Sequence, residues 1–176
     1  MVSRMSKLRS APPHVVFQEC PNEVALCFSF FGCPLRCKDC HSEELWNPAG
    51  GTPLTPKRFK QYLEQYSGLM SAVVFFGGEW QPLELQKLLI IAQAKQLKTC
   101  LYTGLNHVSR HLRPHLNFAK VGPWQSERGG LDSPTSNQAF YQIENGALSK
   151  NLTHLFLGGS TTHIQTKHKD AYHAAA

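Results

Sequence analysis

The sequence predicts an α/β protein whose parallel strands form an open or partial (β/α) barrel. Apolar runs of strand length alternate with helical patterns, which is the order expected of parallel βαβ units. Only four such units are visible, too few for a complete barrel of eight. The chain has 176 residues, 41% hydrophobic and 17% charged, an ordinary composition for one globular domain. We therefore expect a flexible N-terminal arm at 1–14, a single domain at 15–157 and a disordered tail at 158–176.

Four apolar segments are the predicted parallel strands, and each is followed directly by a glycine. They span 23–31, 72–76, 98–103 and 117–121. Two more strands are predicted at 139–145 and 152–157, after a long loop at 125–138. Because parallel α/β folds bind ligands at the carboxyl ends of their strands, the four glycine turns should face one cavity.

Helical patterns fill the connections between these strands. Thr55 is the predicted N-cap of a first helix, with Pro56 at its first position and an aromatic face behind it. Pro82 begins a longer helix that carries a leucine stripe. The segment 106–112 is predicted to be a short helix that is broken at Pro114.

Three of the six cysteines are clustered directly after the first strand. Cys33, Cys37 and Cys40 form a Cys-x3-Cys-x2-Cys loop. Three thiolates can hold a four-iron cluster and leave one iron without a protein ligand, because each ligated iron takes one thiolate. A structural zinc site needs four ligands, and no second Cys or His pair stands at a suitable spacing. The cluster is therefore the favoured interpretation, and Arg36 and Lys38 inside the loop would offset its negative charge.

The remaining cysteines and three regularly spaced histidines are interpreted as structural or surface residues. Cys27 and Cys100 lie within predicted strands and are expected to be core residues, whereas Cys20 is expected to be exposed. Three histidines share a helical spacing of four residues, and they are His107, His111 and His115. A metal-binding face is conceivable there, but the proline that interrupts the helix favours a solvated face.

The cysteine loop resembles the signature of the radical S-adenosylmethionine enzymes. In that superfamily the open iron of a [4Fe-4S] cluster binds the amino and carboxylate groups of S-adenosylmethionine, and reductive cleavage yields a 5′-deoxyadenosyl radical. The superfamily fold is a full or partial parallel barrel, in agreement with the strand pattern read from the residues. The resemblance implies both cofactors, with Cys33, Cys37 and Cys40 as the cluster ligands.

The resemblance also implies contacts to S-adenosylmethionine. A Gly-Gly-Glu-like turn after the second strand contacts the methionine amino group in the superfamily, and here it is Gly77-Gly78-Glu79. Glycines let the backbone approach a ligand closely. Many members carry an aromatic residue before the third cysteine, near the adenine. This chain has Asp39 there, and both Asp39 and His41 are expected among the cofactor contacts, with His41 supplying the ring.

Weaker motifs make the chain similar to the activating proteins of anaerobic ribonucleoside-triphosphate reductase. They are LCFSFFGCPLRCKDCH, the turn FFGGEW, the YTG at 102–104 and the TSNQ at 135–138, in a short chain. The similarity runs from Cys20 to Leu157 by order of motifs. It adds Thr103 to the expected cofactor contacts. It implies abstraction of a glycine Cα hydrogen from that reductase, with flavodoxin or ferredoxin as electron donor.

Other functions remain open at this point. Small-molecule radical enzymes such as carboxy-deazaguanine synthases, and activases of other glycyl-radical enzymes, share much of the pattern. A zinc-stabilised binding module without catalysis is the alternative outside the enzymes. Iron and sulfide bound to the protein would separate the enzymes from the zinc module, and turnover without a second protein would identify a small-molecule enzyme.

Charge and hydropathy exclude several classes of partner. The net charge is +6, but the basic residues are scattered without an aromatic ladder, so nucleic acid is not expected. No stretch approaches the roughly 18 apolar residues of a membrane span. The basic start is not followed by the apolar segment of a secretory signal, so we expect a cytoplasmic protein.

Overall fold

The computed structural model describes residues 8–157, so residues 1–7 and the predicted tail at 158–176 lie outside the described residues. The described chain contains nine strands and two α-helices, joined by turns and short 3-10 helices. The strands are β1 (Arg9–Ser10), β2 (His14–Val16), β3 (Ala25–Ser29), β4 (Thr52–Pro53), β5 (Ala72–Phe76), β6 (Lys98–Tyr102), β7 (Phe118–Val121), β8 (Ala139–Glu144) and β9 (Ala147–Asn151). The helices are α1 (Pro56–Gln65) and α2 (Pro82–Ala94), and the 3-10 helices are Glu43–Trp46, Arg113–His115 and Thr153–Leu155.

Seven strands form one mixed sheet in the order β2-β3-β5-β6-β7-β8-β9. The central strands β3, β5, β6 and β7 are parallel, whereas β2, β8 and β9 are antiparallel to their neighbours. The predicted α/β class and its four parallel strands are confirmed. The antiparallel edges were not predicted, and a partial barrel stays a prediction.

The central strands are apolar throughout because both faces of the sheet are covered. One row of paired residues, Phe28, Phe75 and Leu101, lies in the core beneath α1 and α2. The adjacent row, Cys27, Val74 and Cys100, lies in a second core on the opposite face. This two-sided burial places the loops that follow β3, β5, β6 and β7 at one edge of a rigid sheet.

The two α-helices begin where the sequence predicts. Thr55 has an extended backbone, and its Oγ1 accepts a hydrogen bond from the Arg58 N–H at 3.2 Å, which caps α1. Proline occupies the first position of both helices, where its missing N–H costs nothing. Buried side chains of both helices then pack against the sheet, and they are Phe59, Leu63, Leu85, Leu88, Leu89 and Ala92.

The predicted short helix at 106–112 is wrong. This connection between β6 and β7 is irregular, and its only helical turn is the 3-10 helix Arg113–His115 around Pro114. An isolated helix of two turns is unfavourable in itself. Here Val108 and Leu112 are buried in the core beneath the sheet, and that packing fixes the chain without helical hydrogen bonds.

The predicted strand at 152–157 is also wrong, since β9 is the last strand among the described residues and Thr153–Leu155 forms a 3-10 helix. Asn145 and Gly146 link β8 to β9, and both have positive φ, at 52° and 73°. An Asn-Gly pair with positive φ at both residues is typical of a two-residue hairpin turn. That signal was present in the sequence.

Part of the predicted N-terminal arm packs against the fold. Within residues 8–14, Leu8 and Ala11 are buried, and β1 pairs with β4. The next strand, β2, pairs with β3 at the edge of the main sheet.

Candidate active site

Two backbone hydrogen bonds hold the cysteine loop at its first cysteine. Gly32 N–H and Cys33 N–H both donate to the Leu45 carbonyl, at 2.7 and 3.1 Å. Gly32 has a φ of 86°, which favours glycine as the chain turns out of the sheet. These bonds close the loop that carries Cys33, Cys37 and Cys40 onto the 3-10 helix at Glu43–Trp46.

Backbone donors point at the cysteine sulfurs. Burial raises the pKa of the Cys33 thiol, and hydrogen bonds from the Leu35 and Arg36 backbone oppose that increase. Cys40 Sγ accepts a hydrogen bond from Ser42 N–H at 3.5 Å. Such N–H donors stabilise thiolates and are among the groups that tune iron–sulfur clusters.

The three thiols fit a cluster of the predicted type. All three are free, partly exposed, and line one cavity of about 970 Å³. Within residues 8–157 no group of three or more His, Cys, Asp or Glu side chains could hold a single metal ion. Ligands of an iron–sulfur cube need not converge on one point, because each thiolate binds a different iron.

The same cavity is lined by the ends of the parallel strands, as expected. Gly77 and Glu79 follow β5, Thr103 follows β6, and Lys120 lies in β7. The structure therefore brings groups from three separate segments to the cysteine loop.

Glu79 is half-buried and lines this cavity. Burial raises the pKa of its carboxyl group, and the Thr103 hydroxyl, its own backbone N–H and the Lys120 charge oppose that increase. Thr103 Oγ1 donates a hydrogen bond to Glu79 Oε1 and accepts one from Leu105 N–H at 3.0 Å. Glu79 Oε2 is buried and has no partner among the described residues. That oxygen can therefore accept a hydrogen bond from a ligand.

Lys120 is a site residue that the sequence interpretation missed. It is only 9% exposed, and burial lowers the pKa of its amine to about 8, although Cys37 and Glu79 oppose the decrease. Lys120 Nζ donates a hydrogen bond to the Gly122 carbonyl at 2.9 Å. A lysine within an apolar central strand is rare without a partner. This feature of the sequence could have identified Lys120 as a candidate site residue.

The two glycines of the predicted turn have different surroundings. Gly77 lines the cavity, and a Cβ there would lie 2.6 Å from the Trp80 ring. A Cβ on Gly78 would lie 2.7 Å from the Phe30 ring, and the Gly78 φ is 92°. Packing against aromatic rings is thus a structural reason for glycine at both positions.

His41 and Asp39 take different positions. His41 lines the cavity, and its ring lies 4.3 Å from the Trp124 ring, centroid to centroid. Asp39 is exposed and lies outside the cavity lining, and its Oδ2 accepts a hydrogen bond from Ser126 Oγ at 3.0 Å. The structure gives Asp39 a contact between two loops.

Residues set aside in the sequence interpretation occupy other parts of the fold. Cys20 is 1% exposed and packs in the second core with Cys27 and Cys100, so its expected exposure is wrong. His115 lies between two glutamines of α2, Gln86 and Gln93, at 3.0 Å from each. Because this segment is not an α-helix, the four-residue spacing of the three histidines does not place them on one helix face.

The fold and site define a mixed α/β domain with a three-cysteine loop at the carboxyl end of its first parallel strand. Residues 22–112 match the family described as the 4Fe-4S single cluster domain, and this match covers more than half of the chain. The chain belongs to that family.

A curated relative extends the comparison. The pyruvate formate-lyase-activating enzyme of Clostridium pasteurianum is 37% identical over 84 residues, which are 43% of this chain and 34% of the relative. The chain thus covers about a third of that relative's length. Among residues 8–157, no helix is long and apolar enough to cross a membrane.

Proposed function

We propose that this protein is a radical S-adenosylmethionine activase that generates a glycyl radical on an anaerobic ribonucleoside-triphosphate reductase. One observation carries the proposal: the three thiols of a single-cluster loop share a cavity with Glu79 and Lys120 at the strand ends. The family match supports the cluster, and the name of the relative supports an activating enzyme. The TSNQ segment favours the reductase.

Cys33, Cys37 and Cys40 would hold a [4Fe-4S] cluster, and backbone N–H groups support the sulfurs of Cys33 and Cys40. When bound, the cluster supplies an open iron for S-adenosylmethionine and the electron for its reductive cleavage. Arg36 and Lys38 are exposed on the same loop, where their charges offset that of the cluster.

Glu79 and Lys120 carry opposite charges that match the two ends of an amino acid. The unpartnered Glu79 Oε2 can accept a hydrogen bond from the ammonium group of the methionine moiety. The Lys120 ammonium can donate to its carboxylate. Lys120 and the Oε2 atom of Glu79 are buried, so their interactions with the ligand are screened little by water.

The rim of the cavity is consistent with a macromolecular substrate. Phe17 and Leu155 line the cavity and are 69% and 50% exposed. A partner that covered these side chains would also exclude water from the reaction. The substrate in this proposal is a glycine-bearing loop of the reductase, with a flavodoxin or ferredoxin as electron donor and the cytoplasm as compartment.

The test combines the reconstituted, reduced protein with S-adenosylmethionine and a candidate reductase in the absence of oxygen. Electron paramagnetic resonance should show a glycyl doublet on the reductase. The doublet should vanish when the radical-site glycine of the reductase is alanine, and when Cys37→Ala replaces the wild-type activase. Its absence with the intact pair would refute the reductase as partner.

The relative named above favours a second candidate partner, pyruvate formate-lyase. A parallel sample with that enzyme separates the two, because the doublet should appear on one partner only. Formation of 5′-deoxyadenosine with a small-molecule extract, and with neither partner, would instead indicate a small-molecule enzyme.

A further inference from the structure

Two loops meet beside the cysteine cluster and are joined at two points. The rings of His41 and Trp124 lie 4.3 Å apart, with their planes tilted by 52°. Ser126 Oγ donates to Asp39 Oδ2 at 3.0 Å. The cysteine loop therefore has a fixed neighbour, the loop that follows β7, and both rings line the cavity.

Hydrogen bonds from the TSNQ segment (135–138) hold the turn that carries Trp124. The Pro123 carbonyl accepts hydrogen bonds from Asn137 Nδ2 at 2.9 Å and from Gln138 Nε2 at 3.5 Å. Gly122 has a φ of 106°, and a Cβ there would lie 2.9 Å from the Asn137 carbonyl oxygen. This close backbone contact fixes the direction in which the chain reaches Trp124.

Trp124 also presents an unused polar atom. Its Nε1 is buried and has no hydrogen-bond partner among the described residues. A buried donor without a partner costs free energy, and a ligand that supplies an acceptor recovers that cost. An aromatic nitrogen heterocycle offers both a planar face for the rings and ring nitrogens that accept hydrogen bonds.

We infer that Trp124 and His41 form an aromatic corner that receives the adenine of S-adenosylmethionine, and that Asn137 and Gln138 position Trp124 through Pro123. This inference rests on the proposed function. The tilt of 52° means that the base can lie on the face of one ring and meet the edge of the other. The corner also accounts for Asp39, which stands where related enzymes carry an aromatic residue and here serves as a loop contact.

The experiment compares two ligands that share a methionine sulfonium but differ in the nucleoside. S-Adenosylmethionine carries the adenosyl group, and S-methylmethionine carries a methyl group in its place. Anaerobic equilibrium dialysis of the cluster-loaded protein measures the affinity for each ligand. The wild type should bind S-adenosylmethionine more tightly, because only this ligand reaches the corner.

Trp124→Ala should weaken S-adenosylmethionine binding on the order of 10-fold, the usual effect of removing an aromatic stacking partner. S-Methylmethionine binding should not change. Relative to Trp124→Ala, Trp124→Phe should restore part of the affinity, because a flat ring remains but the Nε1 donor is lost. The matched control is Trp46→Phe, which lies outside the cavity lining and should leave both affinities unchanged.

Asn137 is tested as a positioning residue with a double-mutant cycle. Asn137→Ala should weaken S-adenosylmethionine binding, and in the Trp124→Ala background it should add little further loss. Fully additive losses would overturn the positioning role. If Trp124→Ala keeps wild-type affinity for S-adenosylmethionine, the corner is refuted while the proposed function stands. If the wild type binds no S-adenosylmethionine, both fail.

Discussion

The Thr103 hydroxyl donates a hydrogen bond to Glu79 Oε1, joining the segments that follow β5 and β6. Glu79 is thereby oriented with Oε1 satisfied and Oε2 unpartnered. Burial raises the pKa of this carboxyl group, and the Thr103 bond opposes that increase most strongly. In the proposed function, this pair presents one carboxylate oxygen to S-adenosylmethionine.

Glu79→Gln and Thr103→Val should separate binding from stability. Glu79→Gln removes the charge but keeps the shape, so S-adenosylmethionine affinity should fall on the order of 10-fold while the melting temperature holds or rises. Thr103→Val leaves the buried carboxylate without its donor, so it should cost about 1–3 kcal/mol of stability as well as affinity. Thermal denaturation and ligand dialysis measure the two effects. Equal loss of stability in both variants would contradict this assignment.

Lys120 predicts a pH dependence of stability. Its pKa is lowered to about 8 by burial, against an ordinary value of 10.5. Below pH 8 both the folded and the unfolded chain carry the proton, and the cost of burying the charged amine is present in full. Between pH 8 and 10.5 only the unfolded chain keeps the proton, so stability should rise with pH in that window.

The measurement is the free energy of unfolding of cluster-free, reduced protein in urea, compared with Lys120→Met. The difference between the two proteins cancels most other titrating groups. From pH 8 to pH 9.5 the wild type should gain about 1.5 kcal/mol relative to Lys120→Met. A difference that stays flat across this range would show that Lys120 is not buried as a charged amine.

Gly78→Ala should destabilise the fold rather than only the cofactor site. The new Cβ would lie 2.7 Å from the Phe30 ring, at a backbone φ of 92°. Strain of this kind costs about 1–3 kcal/mol. The Phe30→Leu background should relieve the steric part and leave the backbone part, so a double-mutant cycle by urea denaturation should show coupling. Strict additivity would mean that Phe30 does not set the glycine requirement.

The cysteine assignments predict two classes of variant. Alanine at Cys33, Cys37 or Cys40 should abolish cluster assembly, since each thiolate is the only protein ligand of its iron. Iron and sulfide analysis after anaerobic reconstitution measures this. Cys100→Ala should keep the cluster and lose on the order of 1 kcal/mol of stability, because it leaves a small cavity in the second core.

Cys20→Ala is the sharper control, because Cys20 is a free thiol close in sequence to the cluster loop. It should assemble a full complement of iron and sulfide. Loss of the cluster in this variant would overturn the ligand set. A colourless protein with one tightly bound zinc would overturn the cluster itself.

The central strands, the starts of the two helices and the cysteine loop could be predicted from local sequence patterns. Strands buried on both faces appear as continuous apolar runs, so β5 falls at the predicted residues. Thr55 and Pro56 define the start of α1 through contacts within one turn. Each of these signals depends on neighbours a few residues away.

Which side chains share the cavity depends on the tertiary structure. Lys120 is separated by 83 residues from Cys37, and Trp124 by 83 from His41, yet each pair faces the same space. The irregular conformation of 106–112 also depends on tertiary packing, because Val108 and Leu112 are buried against the sheet. Such contacts arise from strand order and from packing between distant segments. No local pattern encodes them, because the free energy that selects them is gained only when the sheet has formed.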